Sequence, residues 1–272
     1  METLVLEKQI DIGELPKNQN ETISNNQQDV LVIILLNKNF NFGASRTPYD
    51  LDICGKKMWE WVALGCGDVT IKTTVCTEES DILTLIKPYL GNQKYTFVLY
   101  SDTPLFSRAC FDEIFHYVQA KQVNAIKLKR GYVFNTEYIK SAQNLMSTFT
   151  LDFGGANDFF VVDNNQKLNK VKQVIKRRII DFHIENGIII DDISSVHIDA
   201  DVIIENGTVI KQNNAIYGLT YIGKNCILEP NNVIKDSVIS DNCILKYCYI
   251  EESRISENII VGPFESVINK SN

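Results

Sequence analysis

A regular beat in the last third of the chain constrains its fold more than any other feature. Ile198, Ile204, Ile210, Ile216, Ile222, Leu228 and Ile234 stand six residues apart. The beat continues in steps of five and six through Ile239, Leu245, Ile250, Ile255, Val261 and Val267. Small, polar or turn-forming pairs such as Asp199-Ala200, Glu205-Asn206, Gly223-Lys224, Ser240-Asp241 and Gly262-Pro263 lie between. An amphipathic helix repeats about every 3.6 residues and a strand every two, so neither produces this period. A parallel β-helix does, because three short strands and three turns close one coil and each coil stacks its aliphatic residues on the last. Twelve hexads from Ile198 to Ser266 predict four coils of three sides. Asn206-Gly207, Asn213-Asn214, Asn231-Asn232 and Asp241-Asn242 suit the corners, since Asn, Asp and Gly tolerate left-handed backbone angles.

The 272 residues leave room for a second domain before the coils. A formal net charge of −7 argues against nucleic acid or an anionic membrane as partner. No apolar run approaches the roughly 20 residues of a membrane span. Met1-Glu2-Thr3-Leu4 lacks the basic and apolar regions of a signal peptide. Cys54, Cys66, Cys76, Cys110, Cys226, Cys243 and Cys248 form no CxxC pair, which predicts reduced thiols and a cytoplasmic protein.

Residues 1–29 read as an extension: a possible strand from Thr3 to Ile10, then a polar linker rich in Asn and Gln. Val30 to Leu36 is a continuous apolar run, the pattern of a strand buried on both faces. Helix and strand then alternate. Helices are predicted at Met58–Leu64, Glu78–Leu90, Pro104–Gln122 and Glu137–Leu145, with Thr103 or a neighbour capping the third. Strands are predicted at Val69–Val75, Tyr95–Tyr100, Ala125–Leu128 and Gly131–Phe134. This order specifies an open α/β sheet with helices on both faces, whose ligands sit at the C-terminal strand ends. Leu168 to His183 carries one apolar stripe and reads as a linking helix, ended by Asn186-Gly187. The expected domains are 30–167 for the sheet, 168–187 for the link and 188–272 for the coils.

Several segments resemble one family. They are "VIKRRIIDFHIENGIIIDD", "HIDADVIIENGTVI", "YIGKNCILEPNNVIKDSVISDN" and "IEESRISENIIVGPF" between Val171 and Phe264. "CGKKMWEWV" (Cys54 to Val62), "LYSDTPLF" (Leu99 to Phe106) and "GYVFNTEYI" (Gly131 to Ile139) extend the likeness toward the N-terminus. All are similar to bacterial bifunctional UDP-N-acetylglucosamine pyrophosphorylase/glucosamine-1-phosphate N-acetyltransferase. The resemblance implies a nucleotidyltransferase-like (Rossmann-like) α/β sheet followed by a left-handed parallel β-helix of hexapeptide repeats, assembled as a trimer. It also implies that UTP and N-acetylglucosamine 1-phosphate meet on Mg²⁺, with release of pyrophosphate.

Carried over residue by residue, the resemblance assigns Asp102 to the first Mg²⁺ position and Asp163 to the second. The alternatives are a turn or cap role for Asp102 in Ser101-Asp102-Thr103-Pro104, and a helix N-cap for Asp163. Gly43, Arg46, Lys56, Tyr100 and Ser101 are the nucleotide and substrate candidates, with Lys57 a second choice for phosphate. The departures are large. The family's glycine-rich phosphate turn reads Asn37-Lys38-Asn39-Phe40-Asn41-Phe42-Gly43-Ala44-Ser45-Arg46, its Pro-Lys reads Pro48-Tyr49, and its Asn-Thr-Gly reads Lys129-Arg130-Gly131. Its uracil-reading segment is missing between Val75 and Lys94. The acetyltransferase's histidine and CoA-binding residues belong to coils beyond Phe264, so no acetyl transfer is expected. Two functions therefore stand side by side: a reduced Mg²⁺-dependent uridylyltransferase, or a non-catalytic nucleotide-sugar-binding or scaffold module.

Overall fold

The computed structural model describes residues 29–38, 47–145 and 150–270. The described residues form two compact units, one running from 29 to 53 and from 57 to 171, the other of 54–56 and 172–270. The expected N-terminal strand at Thr3 to Ile10 lies outside the described residues.

The first unit is built on a mixed five-stranded sheet. In chain order its strands are β1 (Val30–Asn37), β2 (Thr70–Cys76), β3 (Tyr95–Tyr100), β4 (Ala125–Leu128) and β5 (Gly131–Asn135). Their order across the sheet is β2-β1-β3-β5-β4. β1 runs parallel to both neighbours, whereas β5 is antiparallel to β3 and to β4. β1 lies inside the sheet and is buried on both faces, which explains its unbroken run of aliphatic residues. Val30, Val32 and Ile34 pack with Phe97, Leu99, Val62, Phe111 and Ile114, while Leu31, Ile33 and Leu35 pack with Val98, Leu83, Ile86 and Ile139. Helices therefore cover the two faces: α1 (Met58–Cys66) and α3 (Arg108–Lys121) one, α2 (Ile82–Ile86) and α4 (Thr136–Ser141) the other.

Two helices begin later than the sequence suggests. In α2, Asp81 accepts from the backbone N–H groups of Leu83 and Thr84 and so sets the start, and Lys87–Tyr89 tightens into a 3₁₀ turn around Pro88. In α3 the cap is Ser107, whose hydroxyl accepts from the Cys110 N–H. Pro104 sits in a preceding turn closed by Phe106 N–H to the Thr103 carbonyl. The proline marks a turn before the helix, not its first residue.

Helix α5 (Asn165–Glu185) is longer than the predicted link. Asn164 caps it, with its Oδ1 accepting from Lys167 N–H at 3.0 Å. It ends at Asn186-Gly187, where Gly187 adopts φ +87°.

The second unit carries short parallel strands in three sheets, the arrangement of a β-helix. Ile198, Ile216, Ile234, Ile250 and Val267 share one sheet. Ile204, Ile222, Ile239 and Ile255 share the second, and Ile210, Leu228, Leu245 and Val261 the third. Each residue of the beat thus steps to the next sheet, and each is buried. Burying one such side chain contributes roughly 1.5–3 kcal/mol, and only once the neighbouring rung covers it. The corners turn on single left-handed residues: Gly207, Asn213, Asn225, Asn231, Asn242 and Asn258, but also Asp236, Tyr247, Glu252 and Phe264. Buried Asn214 and Asn232 form an internal ladder, with Asn232 Nδ2 donating to Asn214 Oδ1 at 2.9 Å and Asn232 Oδ1 accepting from Cys248 N–H at 3.0 Å. All seven cysteines are buried free thiols. Among the described residues no helix is long and apolar enough to cross a membrane.

Candidate functional site

The C-terminal ends of β1 and β3 lie side by side, as the parallel register Leu35↔Tyr100 requires. Sheets of this kind offer ligands that edge. Here Ser101 N–H donates to the Leu35 carbonyl at 3.0 Å and Asn37 N–H donates to Ser101 Oγ at 3.1 Å, so the chain leaving β3 is tied to β1. Asp102 follows and is 1% exposed. Its carbonyl accepts from Val162 N–H at 2.8 Å, which brings the segment before α5 to the same edge.

The Asp102 carboxylate is already occupied. Arg130 donates through Nε to Oδ1 at 3.1 Å and through Nη2 to Oδ2 at 2.5 Å, and Asn37 Nδ2 donates to Oδ2 at 3.0 Å. The guanidinium carbon lies 4.0 Å from the centroid of the Tyr100 ring, a cation–π contact. Burial opposes the charge on Arg130, but the Asp102 hydrogen bonds and negative charge outweigh it and raise its pKa. Burial, the main cause, pushes the Tyr100 hydroxyl up to about 12 and the nearby Cys76 thiol up to about 11. These two groups therefore stay neutral at ordinary pH.

A divalent ion needs hard oxygens with free lone pairs. At Asp102 it would first have to displace a bidentate guanidinium. Asp163 is engaged too, its Oδ2 with Lys167 at 2.6 Å and its Oδ1 with Asn164 Nδ2 at 2.7 Å. Among the described residues no group of three or more His, Cys, Asp or Glu gathers to hold a metal. As arranged, these donors do not fit Mg²⁺.

Of the other candidates, Tyr100 and Ser101 belong to this edge, whereas Gly43 and Arg46 lie outside the described residues. Lys56 groups with the β-helix unit and its ammonium bonds both oxygens of Asp201, at 2.7 and 2.8 Å. Lys57 pairs with Asp50 at 3.1 Å on the surface. Two residues that sequence inspection did not single out, Asn37 and Arg130, complete the cluster. Only strand pairing reveals the second. The antiparallel register Leu99↔Gly131 sets Arg130, one residue earlier, beside Tyr100. Gly131 is required there: at φ +135°, a Cβ would stand 2.4 Å from the Val98 carbonyl oxygen.

No family model matches the chain. The bifunctional protein GlmU of Caldanaerobacter subterraneus subsp. tengcongensis is 32% identical over 138 residues, covering 51% of this chain and 30% of the relative. GlmU of Clostridium acetobutylicum is 39% identical over 111 residues, covering 41% and 24%. GlmU of Clostridioides difficile is 36% identical over 110 residues, covering 40% and 24%. Over that stretch the chain is a relative of GlmU. It spans about a quarter to a third of the length of the curated relatives it matches. Among solved structures, a CMP:2-keto-3-deoxy-manno-octonic acid synthetase complexed with CTP aligns to 55% of this chain and 99% of its own, at 12% identity and a TM-score of 0.41.

Proposed function

We propose that this GlmU relative is a nucleotidyltransferase-like protein that binds a nucleotide sugar but does not transfer a nucleotidyl group. One observation carries the proposal: the buried carboxylate that the resemblance assigns to Mg²⁺ is neutralised from within by Arg130. Nucleotidyl transfer rests on positioning and on neutralising phosphate charge, and this site has committed its metal-binding oxygens elsewhere. Acetyl transfer is excluded from the proposal on the same residue-level grounds. His183 is buried, and His197 is bound through Nε2 to Asp199 Oδ1 at 2.9 Å.

The proposal includes a left-handed β-helix of four coils that brings copies of the chain together as trimers. An outward ladder supports self-association. Ile189, Val209, Ile227, Ile244 and Ile260 pair in register along one sheet, every one aliphatic, and its end residues are 57% and 60% exposed. Sedimentation of the wild-type chain against Ile227→Glu tests this; a wild-type monomer would rule it out.

The decisive assay for the main proposal is pyrophosphate release from UTP and N-acetylglucosamine 1-phosphate with Mg²⁺. Silence from a folded protein that still binds UDP-N-acetylglucosamine is expected. Release that disappears in Asp102→Asn would mean that Arg130 swings away and the chain is an active transferase.

A further inference from the structure

We infer that Arg130 is the built-in cation of this site, and that a phosphate-bearing ligand binds there without any divalent ion. The inference rests on the nucleotide-sugar-binding proposal above and specifies how that binding works. A carboxylate as buried as Asp102 needs a counter-charge, and the guanidinium supplies it. Three contacts immobilise it: two hydrogen bonds to Asp102 and the face of Tyr100. Only Nε and Nη2 are used. The two N–H groups of Nη1 have no acceptor among the described residues, and the side chain is 28% exposed. Arg130 therefore presents a fixed pair of donors at the strand edge where such sheets bind ligands, and a guanidinium edge matches phosphate oxygens geometrically.

This differs in kind from metal coordination. The Asp102–Arg130 pair is neutral as a unit, so its attraction for phosphate is directional hydrogen bonding and not net charge. Binding should be insensitive to chelators and only weakly sensitive to salt.

The test uses the full chain and UDP-N-acetylglucosamine as probe, titrated calorimetrically in EDTA and again in Mg²⁺. The expected dissociation constants agree to within about twofold, and Arg130→Met weakens binding by about tenfold or more. The double variant Asp102→Asn/Arg130→Met removes both charges, so it guards against unfolding caused by a lone buried carboxylate, and it should lose binding to the same degree. Mn²⁺ titration of the protein alone, read by electron paramagnetic resonance, should show no bound ion that Asp102→Asn removes. Binding that needs Mg²⁺, Mn²⁺ held through Asp102, or full affinity in both arginine variants would each overturn the inference while leaving nucleotide-sugar binding intact. No binding in either buffer would overturn both, and pyrophosphate release would overturn the functional proposal.

Discussion

His183 gives the sharpest stability prediction. It lies near the C-terminal end of α5 at 1% exposure, its ring edge-to-face with Phe182 at 5.5 Å, and its Nε2 has no hydrogen-bond partner among the described residues. Burial alone lowers its pKa from 6.5 to about 4. The folded protein thus prefers the neutral ring, while the unfolded chain takes up the proton first. Stability is unaffected above pH 6.5, falls as pH drops toward 4, and below that the loss is complete. With about 1.4 kcal/mol per unit, the full loss is about 3 kcal/mol, and about 2 kcal/mol is already lost at pH 5. Denaturant unfolding at pH 7.5 and pH 5.0, compared between wild type and His183→Leu, isolates the effect, because every carboxylate is common to both. The wild type should lose about 2 kcal/mol more than the variant between the two pH values. Equal losses would show that His183 is not held neutral by its surroundings.

Other perturbations test the packing. Arg130→Ala leaves Asp102 buried and unpaired, which should destabilise the first unit by about 3–5 kcal/mol in chemical denaturation, and the neutral double variant should recover much of that. Gly65→Ala would place a Cβ 2.1 Å from the Phe106 carbonyl oxygen; the backbone must shift, lowering stability by about 2 kcal/mol or more, read as a fall in Tm. Asn232→Leu strips a fully buried side chain of its bonds to Asn214 and Cys248. It should cost about 2–4 kcal/mol, with faster amide exchange at Cys248 as the local readout.

How far the sequence could be read depends on how local the cause is. The strand ladders were legible because each inward residue is fixed by its own spacing: Ile198 and Ile216 differ by one circuit of three sheets, and no other contact decides where they point. Val30 to Leu36 was legible for a similar reason, since burial on both faces leaves no polar position. Pro104 misled because proline suits a turn as well as a first helical turn, and the hydroxyl of Ser107 decided between them. The site was the hardest part. Asp102 could be found by its neighbours in the chain, but its partner Arg130 is 28 residues away, and its place depends on the register of two antiparallel strands. A motif in which Lys129-Arg130-Gly131 stands for another tripeptide reads as loss, when in three dimensions it supplies the guanidinium that pairs with Asp102.

The corners of the β-helix carry a consequence for how such a chain can change. Successive inward residues are six apart from Ile216 to Leu228, yet five apart from Ile234 to Ile239, Leu245 to Ile250 and Ile250 to Ile255, and all of them stay buried. The short steps hold a left-handed residue, Asp236, Tyr247 or Glu252, as most six-residue steps do at Asn213, Asn225 or Asn231, so the same kind of corner closes with one residue fewer. In a flat sheet, deleting one residue turns every later side chain to the opposite face. Here the same deletion is absorbed within a single bend, and the next strand begins in phase. Insertions and deletions of one residue at the bends should therefore be nearly silent, whereas the same changes within the two- or three-residue strands should not. The solenoid can drift in length while its interior keeps time.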